Sequence, residues 1–285
     1  MEFIEILKII LVGIIEGITE WLPVSSTGHM ILFDSFFPLK QREAFVDMFE
    51  YVIQLAAILA VVVVFWKQLF PLGTEVQENG ERKTVWKKDT LTLWLKVVLA
   101  CVPALLALVA DKLFEKLSPT QETVVVAAML ILYGIIFIVV ESFNKGKDTK
   151  ISEISALSYK TAFFIGCFQV LAAIPGTSRS GVTIIGALLL GVSRTAAAEF
   201  TFFLAIPTMV GASGYKLLQF FMDGNGFTGA EIGYLLIGCA VAFAVSLLCI
   251  KFLMRFVKKH DFKPFGIYRI ILGVVVLTAV VIPYL

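Results

Sequence analysis

The chain has 285 residues, of which 59% are hydrophobic and 16% are charged, and its formal net charge is +2 at pH 7. A soluble domain of this length carries roughly 25% charged residues, so this composition excludes an ordinary soluble domain and indicates an all-α polytopic membrane protein. There is no basic patch with interleaved aromatic residues, so we expect no nucleic-acid partner.

Apolar runs near the ~18–20 residues that cross a bilayer predict two similar series of elements. The first half contains one interrupted apolar segment and three spans, near residues 3–33, 44–66, 92–110 and 122–141. A polar stretch follows. The second half repeats the series, near residues 161–191, 196–217, 232–251 and 266–284. We interpret residues 1–285 as a single membrane domain.

Each interrupted segment is broken by a short stretch rich in Gly and Ser. The first break is PVSSTGH at residues 23–29, and the second is PGTSRSG at residues 175–181. Irregular backbone at membrane depth is tolerated only where it is buried in protein or lines a polar cavity. The two breaks are therefore the places where we expect a polar site.

The halves also resemble each other locally, which indicates an internal duplication. Four pairs align at an offset of 153 residues, namely Gly13 with Gly166, Glu16 with Gln169, Ser25 with Ser178, and Gly28 with Gly181. REAFVD at residues 42–47 aligns with RTAAAE at residues 194–199 at an offset of 152. We predict a first repeat over 1–141, a cytoplasmic link over 142–160 and a second, inverted repeat over 161–285.

The placement of Lys and Arg predicts the topology. These residues are concentrated in regions 67–96, 142–160 and 251–269, and cytoplasmic loops carry an excess of them. All three regions can be cytoplasmic only if both interrupted segments turn back instead of crossing. The predicted fold is six transmembrane helices plus two re-entrant helical hairpins, related as an inverted-topology internal repeat whose hairpin tips meet near the midplane.

Two carboxylates precede the first break. Glu16 and Glu20 are four residues apart and would share one helical face. Carboxylates in an apolar segment are costly unless they are paired, protonated or bound to a metal ion. A structural polar network that includes pairing with Arg179 is one interpretation. The other is a functional pair that handles a proton or holds a hard divalent cation such as Mg²⁺ or Ca²⁺.

The first break itself carries Ser25, Ser26 and His29. Serine is an ordinary residue at the beginning of a helix, so a capping role is open for either serine. His29 lies three residues after Ser26, and histidine beside serine is the minimal pair of nucleophile and base. A hydrogen-bonded structural histidine is the alternative.

The second break has the composition of an anion-binding loop. Its Gly and Ser residues allow backbone N–H groups to converge, and the beginning of the following helix adds partial positive charge. Arg179 supplies a fork of donors suited to phosphate oxygens, unless it pairs only with Glu199 or Glu16. The candidate phosphate ligands are Arg179, Ser178, Ser180, Gly176, Gly181, Thr183 and, from the first break, Ser25.

EGITEWLPVSSTGH at residues 16–29, together with PGTSRSG at residues 175–181, resembles the undecaprenyl-diphosphatase family, the bacterial bacitracin-resistance type. The similarity extends over the whole chain, including FEYVIQ at residues 49–54 and AAEFTFFLAIP at residues 197–207. It implies a multi-pass enzyme of the bacterial cell (inner) membrane that hydrolyses undecaprenyl diphosphate. The products are inorganic phosphate and undecaprenyl phosphate, the lipid carrier for cell-wall glycan (peptidoglycan) synthesis.

The resemblance also implies a site, a metal and an assembly. Its site residues are Glu16, Glu20, Ser26, His29 and Arg179, and its metal is Mg²⁺ or Ca²⁺. The two glutamates would bind the metal or manage protons, and such enzymes are often found as homodimers. Ser26 is our preferred nucleophile, activated by a carboxylate or by His29. His29 as phospho-acceptor and a metal-activated water are the alternatives. A transporter or flippase of an anionic lipid is the alternative function, because inverted repeats with midplane sites are typical of transporters.

Overall fold

The structure is a computed structural model that describes residues 2–76, 82–107, 114 and 117–281, and these residues are predominantly helical. The α-helices of the first half are α1 (Phe3–Thr19), α2 (Ser26–Phe36), α3 (Glu43–Val64), α4 (Trp66–Leu69), α5 (Lys88–Ala104) and α6 (Pro119–Asn144). Those of the second half are α7 (Tyr159–Gln169), α8 (Arg179–Leu189), α9 (Arg194–Met222), α10 (Gly229–Phe256) and α11 (Lys263–Val276). Short 3₁₀ turns at Ile154–Ala156 and Val170–Ala173 and a π turn at Leu277–Val281 complete the helical structure of these residues.

Within the described ranges, four helices are long and apolar enough to cross a membrane, and these are α3, α6, α9 and α10. The sequence patterns that start them are visible, since Ser118 and Thr228 each form a capping box at the beginning of α6 and α10. The prediction of an all-α membrane protein is confirmed at this level. The predicted span ends at 108–110 and 282–284 lie outside the described residues.

One element was not predicted. Strands β1 (Leu72–Val76) and β2 (Arg82–Trp86) pair antiparallel, with Leu72 opposite Trp86. The polar region that sequence analysis treated as a loop therefore contains a β-hairpin. Its Thr and Val residues favour extended structure, but the segment is too short and too polar to stand out among the apolar runs.

Two cations that were counted in the basic regions are buried inside helices, which corrects the charge count behind the topology. Lys96 is buried in α5, where its Nζ donates to the Ser155 carbonyl oxygen at 3.2 Å. Arg269 is fully buried in α11. The basic regions 67–96 and 251–269 each lose one residue by this correction.

The halves exchange helices across their interface. Helix α1 of the first half packs against α10 of the second, while α7 of the second packs against α5 of the first. Both crossings depend on a glycine: a Cβ on Gly13 would lie 2.9 Å from the Gly238 carbonyl oxygen, and one on Gly166 would lie 2.1 Å from the Ala100 carbonyl oxygen. Gly13 and Gly166 are the first pair of the sequence alignment, so aligned residues make equivalent contacts.

Ion pairs join the halves as well. Arg42 Nη2 lies 2.8 Å from Glu231 Oε2, and Arg194 Nη2 lies 2.6 Å from Glu141 Oε2. Arg42 and Arg194 are aligned residues of the two halves, and each reaches a glutamate of the other half. Glu141 is buried and also accepts the backbone N–H of Phe262 at 2.9 Å.

Helix α8 lies in the interior of the protein. It packs against α6, α7 and α9, and its residues 180–188 are all buried. The second break, which leads into α8, therefore ends inside protein instead of at the surface. This placement satisfies the condition under which irregular backbone is tolerated at membrane depth.

Candidate active site

The two breaks have the same backbone conformation. Ser25, just before α2, has φ 75° and ψ 108°, and Ser178, just before α8, has φ 66° and ψ 113°. Left-handed φ values are uncommon for residues other than glycine and cost of order 1–3 kcal/mol, and they cluster at functional sites. Ser25 and Ser178 are aligned residues, so the same strained turn precedes a helix in both halves.

The capping roles of these serines differ. The Oγ atom of Ser178 accepts the N–H of Gly181 at 3.2 Å and caps α8. Ser25 occupies the corresponding position before α2 but makes no side-chain cap. Its Oγ is buried and has no hydrogen-bond partner among the residues described. Helix capping therefore explains the Ser178 side chain, whereas the Ser25 hydroxyl has no such structural role.

Glu20 connects the two breaks. Its Oε1 forms an ion pair with Arg179 Nη2, and its Oε2 accepts the hydroxyl of Ser26 at 3.2 Å. The second guanidinium nitrogen, Nη1, contacts Thr208 Oγ1 of α9 at 3.4 Å. Glu20 is 8% exposed. The charged partner of Arg179 is thus Glu20, which agrees with the structural interpretation of the two glutamates, and it is neither Glu199 nor Glu16.

Glu16 lies one turn before Glu20 at the end of α1 and is buried. Its Oε1 atom has no hydrogen-bond partner among the residues described, and neither has Oε1 of Gln169, the aligned residue of the second half. A buried carboxylate oxygen without a partner is unfavourable unless it carries a proton or meets a cation. The position of Glu16 beside Glu20 therefore suits proton handling or metal binding.

The residues present fit a divalent cation only in part. In the described ranges, no group of three or more His, Cys, Asp or Glu side chains is arranged to hold a metal ion. Mg²⁺, however, is commonly bound through one or two carboxylates plus substrate phosphates and water. Glu16 and Glu20, one with an unpartnered oxygen, match that smaller donor set.

His29 makes two hydrogen bonds, and Ser26 is in neither of them. Its Nδ1 lies 2.7 Å from the Ser25 carbonyl oxygen, and its Nε2 lies 2.7 Å from the Tyr268 hydroxyl. Because a carbonyl only accepts, Nδ1 carries the proton, and Nε2 of the neutral ring accepts the hydroxyl of Tyr268. The side chain that contacts the Ser26 hydroxyl is the Glu20 carboxylate.

The beginning of α8 can receive an anion. The first N–H groups of any helix lack intrahelical acceptors, and only that of Gly181 is capped here. Those of Arg179 and Ser180 are left at the helix N-terminus, where partial positive charge favours phosphate. The Ser180 hydroxyl lies 3.2 Å from Ser178 Oγ at the same end.

Two further candidate ligands have evident structural duties. Thr183 is fully buried, where its Oγ1 donates to the Arg179 carbonyl oxygen at 3.0 Å and lies 2.9 Å from Thr201 Oγ1. It therefore links α8 to α9. Gly176 has φ 83°, and a Cβ on it would lie 2.6 Å from Val126 Cα, so the chain requires glycine there.

Two residues of α11, Tyr268 and Arg269, also reach the site, and neither was among the predicted site residues. Arg269 donates from Nη1 to the Pro23 carbonyl oxygen at 3.4 Å, and from Nη2 to those of Gly176 at 3.0 Å and Thr177 at 3.2 Å. A signal was available, because an arginine within a predicted span marks a functional position by default. The count of cations in the basic regions concealed it.

Comparison with known proteins gives a consistent result. The model of the family described as bacitracin resistance protein BacA matches residues 9–275. A protein of Enterococcus faecalis named undecaprenyl-diphosphatase is 59% identical over 97% of this chain and 98% of its own length. A protein of the same name from Desulfitobacterium hafniense is 56% identical over 97% of this chain and 96% of its own length. Another, from Streptococcus thermophilus, is 52% identical over 96% of this chain and 93% of its own length.

Proposed function

The chain belongs to the family of bacitracin resistance protein BacA, and from that premise we propose that its two breaks form the active site of an undecaprenyl-diphosphatase. The reaction converts undecaprenyl diphosphate into undecaprenyl phosphate and inorganic phosphate. One observation carries the assignment of the site: the Glu20 carboxylate touches both Ser26 of the first break and Arg179 of the second. A nucleophile, a base and a phosphate-binding cation thus lie in one place.

Substrate binding uses the second break. A guanidinium has five N–H donors, and the contacts to Glu20 and Thr208 leave donors of Arg179 for phosphate oxygens. A phosphate at this position also meets the N-terminus of α8. Because the anionic phosphate competes with Glu20 for the guanidinium, binding of the substrate frees the carboxylate to act on Ser26.

The chemistry follows from the Ser26–Glu20 contact. The Ser26 oxygen attacks the terminal phosphorus and its proton passes to Glu20. The bond between that phosphorus and the bridging oxygen breaks, and undecaprenyl phosphate leaves with the electron pair and takes the proton from Glu20. Water then attacks the phosphorus of the phosphoserine and gives a proton to the Glu20 carboxylate. The bond between phosphorus and the Ser26 oxygen breaks, inorganic phosphate is released, and the serine oxygen takes the proton back from Glu20. Arg179 offsets the charge of the phosphoryl oxygens in both steps.

Glu16 and Glu20 are the residues that would hold Mg²⁺ or Ca²⁺. A bound divalent cation supplies charge neutralisation at the diphosphate. Glu16, buried and with one unpartnered oxygen, contributes a ligand oxygen or holds a proton near the leaving group. Removal of divalent metal with a chelator, followed by titration of Mg²⁺ or Ca²⁺, tests the requirement.

His29 as the phospho-acceptor is the rival mechanism. It requires that the Tyr268 hydroxyl release Nε2, the ring nitrogen with a free electron pair. A metal-activated water, with Ser26 only orienting it, is the third mechanism. Trapping of a radiolabelled phosphoenzyme distinguishes them, because phosphoserine is stable in acid, phosphohistidine is not, and the water mechanism forms neither.

The proposed topology has six spans and two re-entrant hairpins, α1–α2 and α7–α8. The shared backbone of the breaks, the exchange of α1 and α7 between the halves and the reciprocal ion pairs support an internal repeat. The Lys and Arg distribution supports its inversion. In a protein without its native cysteines, Thr74→Cys and Asp223→Cys should label from opposite faces. Labelling from the same face would contradict the topology. The predicted homodimer is tested separately, by chemical cross-linking in membranes.

The decisive experiment measures phosphate release from undecaprenyl diphosphate by purified protein in detergent with Mg²⁺ or Ca²⁺. Wild-type protein should release phosphate. Ser26→Ala removes the nucleophile and Arg179→Ala removes the cation that stabilises the transition state, so each should lower kcat by about 10³-fold or more. His29→Ala should lower it less, because His29 does not contact Ser26. Wild-type protein that releases no phosphate with metal present contradicts hydrolysis.

Lipid transport is the second candidate. The observation that favours it is an open cavity of about 600 Å³ at the beginnings of α5 and α9, whose lining includes the charged residues Lys96, Glu153 and Glu199. A transporter needs access from two sides but does not need the Ser26–Glu20 contact. Movement of a fluorescent prenyl phosphate across proteoliposomes that persists in Ser26→Ala protein would favour transport.

A further inference from the structure

Arg269 is a buried cation that is held by carbonyl oxygens. It is fully buried in α11 and donates to backbone carbonyls of both breaks and, at 3.4 Å, to that of Met129 in α6. Its Cζ lies 5.8 Å from the centroid of the Tyr133 ring. No carboxylate among the described residues pairs with it. Burial of a charge without an opposite charge is costly. An arginine at this buried position therefore requires a role that offsets this cost.

Simple packing does not supply that reason. YGIIF at residues 133–137 aligns with FGIYR at residues 265–269 at an offset of 132, and α6 and α11 cross where these stretches meet. There, a Cβ on Gly134 would lie 2.6 Å from the Gly266 carbonyl oxygen, and one on Gly266 would lie 2.7 Å from that of Gly134. At this alignment Phe137 of the first half corresponds to Arg269 of the second. An apolar side chain therefore suffices at the equivalent place in α6.

The hydrogen bonds of Arg269 orient the peptide unit that begins α8. The described part of the chain has no cis peptide bond, and in a trans peptide the C=O and N–H groups point in opposite directions. The Thr177 carbonyl faces Arg269. The N–H of Ser178, on the same peptide unit, therefore points away from Arg269, at the turn from which Arg179 extends.

We propose that Arg269 is the positioning residue of this active site. By holding the carbonyls of Pro23, Gly176 and Thr177, the guanidinium fixes one break against the other. It thereby sets the spacing of Ser26 and Arg179 that Glu20 bridges. Arg269 contacts neither Ser26 nor the phosphate position and acts only through the backbone. This inference rests on the hydrolysis proposed above.

The test compares Arg269→Ala and Arg269→Lys with wild-type protein and with Arg255→Ala, which removes an exposed arginine from α10. Phosphate release is measured across substrate concentrations, and each kcat is divided by the folded fraction obtained from thermal unfolding in the same detergent. Misplacement of reacting groups by about 1 Å lowers rates ~10²-fold. We expect a loss of that size in kcat for Arg269→Ala, with a smaller change in KM.

Rescue separates positioning from support of the fold. Lysine carries one ammonium and no planar fork, so Arg269→Lys should recover only part of kcat. Millimolar guanidinium should raise the kcat of Arg269→Ala by about tenfold, since it restores part of the lost alignment, and should leave Arg255→Ala unchanged.

Three results are distinguishable. If wild-type protein releases no phosphate, the proposed function itself is wrong. Active wild-type protein with an Arg269→Ala kcat within about threefold per folded molecule overturns the positioning role, since such a change is worth under 1 kcal/mol. The positioning role is also wrong if both Arg269→Ala and Arg269→Lys lose activity only in proportion to their loss of folded protein and guanidinium does not raise the kcat of Arg269→Ala.

Discussion

Replacement of Glu20 by glutamine removes the negative charge that joins the two breaks and keeps the volume of the side chain. The amide has one acceptor oxygen where the carboxylate has two. Arg179 and Ser26 each donate to a separate oxygen of Glu20. In the variant, only one of them keeps an acceptor.

The expected effect on stability is small, because two electrostatic changes oppose each other. Loss of a charge-assisted hydrogen bond destabilises by about 1.5–3 kcal/mol, and the 21% exposure of the Arg179 side chain places the value at the lower end. Removal of the like charge that faces buried Glu16, one helical turn away, stabilises the protein and offsets part of this loss. We expect the free energy of unfolding to change by no more than about 1–2 kcal/mol.

The expected effect on the rate is large. Without the carboxylate, no group accepts the proton of Ser26, and loss of a general base lowers rates by about 10²–10⁴-fold. This corresponds to about 3–5 kcal/mol in the activation barrier. The kcat of Glu20→Gln should therefore fall by about 10³-fold while the protein remains folded.

The assay is single-turnover phosphate release combined with thermal unfolding in the same detergent. Glu16→Gln is the matched control, since it removes the neighbouring charge without touching Ser26 or Arg179. Its main effect should be a shift of metal dependence to higher Mg²⁺ concentration. A folded Glu20→Gln protein with kcat within about tenfold of wild type would refute the assignment of Glu20 as the base.

Three further predictions concern the frame of the site. Glu141→Gln weakens a buried ion pair between the halves and should lower the free energy of unfolding by about 2–4 kcal/mol, measured by thermal or denaturant unfolding; an unchanged midpoint would contradict the role of this pair. Gly166→Ala places a Cβ against backbone of α5 and should destabilise by at least about 2 kcal/mol, whereas Gly211→Ala, with open space around it, should be neutral or stabilise by up to about 1 kcal/mol. Tyr268→Phe removes one hydrogen bond to His29 and should lower kcat about fivefold, and a rise in kcat would instead favour His29 as the phospho-acceptor.

Much of the site was predictable because its residues are chemically out of place. Glu16, Glu20 and Arg179 are charges in apolar segments, and such charges require a partner or a function. Pro, Gly and Ser at the same depth mark interrupted helices. The placement of Lys and Arg residues predicted that the two breaks lie close together, and the contact between Glu20 and Arg179 agrees with that prediction.

The partners of these residues were less predictable. Ser26 and His29 are close in sequence, which favoured a pair, but the direction of each side chain in the first turn of α2 directs the histidine to Tyr268 and the serine to Glu20. Likewise, Arg269 was counted in a basic region because its neighbours include several loop cations. Only its burial between both breaks reveals its contacts.

By itself, the sequence determined the membrane class and the family, and it marked two half-chains and a set of candidate site residues, because hydrophobicity, repetition and misplaced charges are properties of local composition. The tertiary structure decided which groups meet. Helices from opposite halves cross at glycines, and these crossings set which carboxylate reaches the arginine, which side chain holds the histidine and which cation ties the two breaks. Such contacts join residues about 160 to 250 positions apart in the sequence. No local sequence pattern predicts a contact at that separation, because only close packing of the whole fold brings those side chains together.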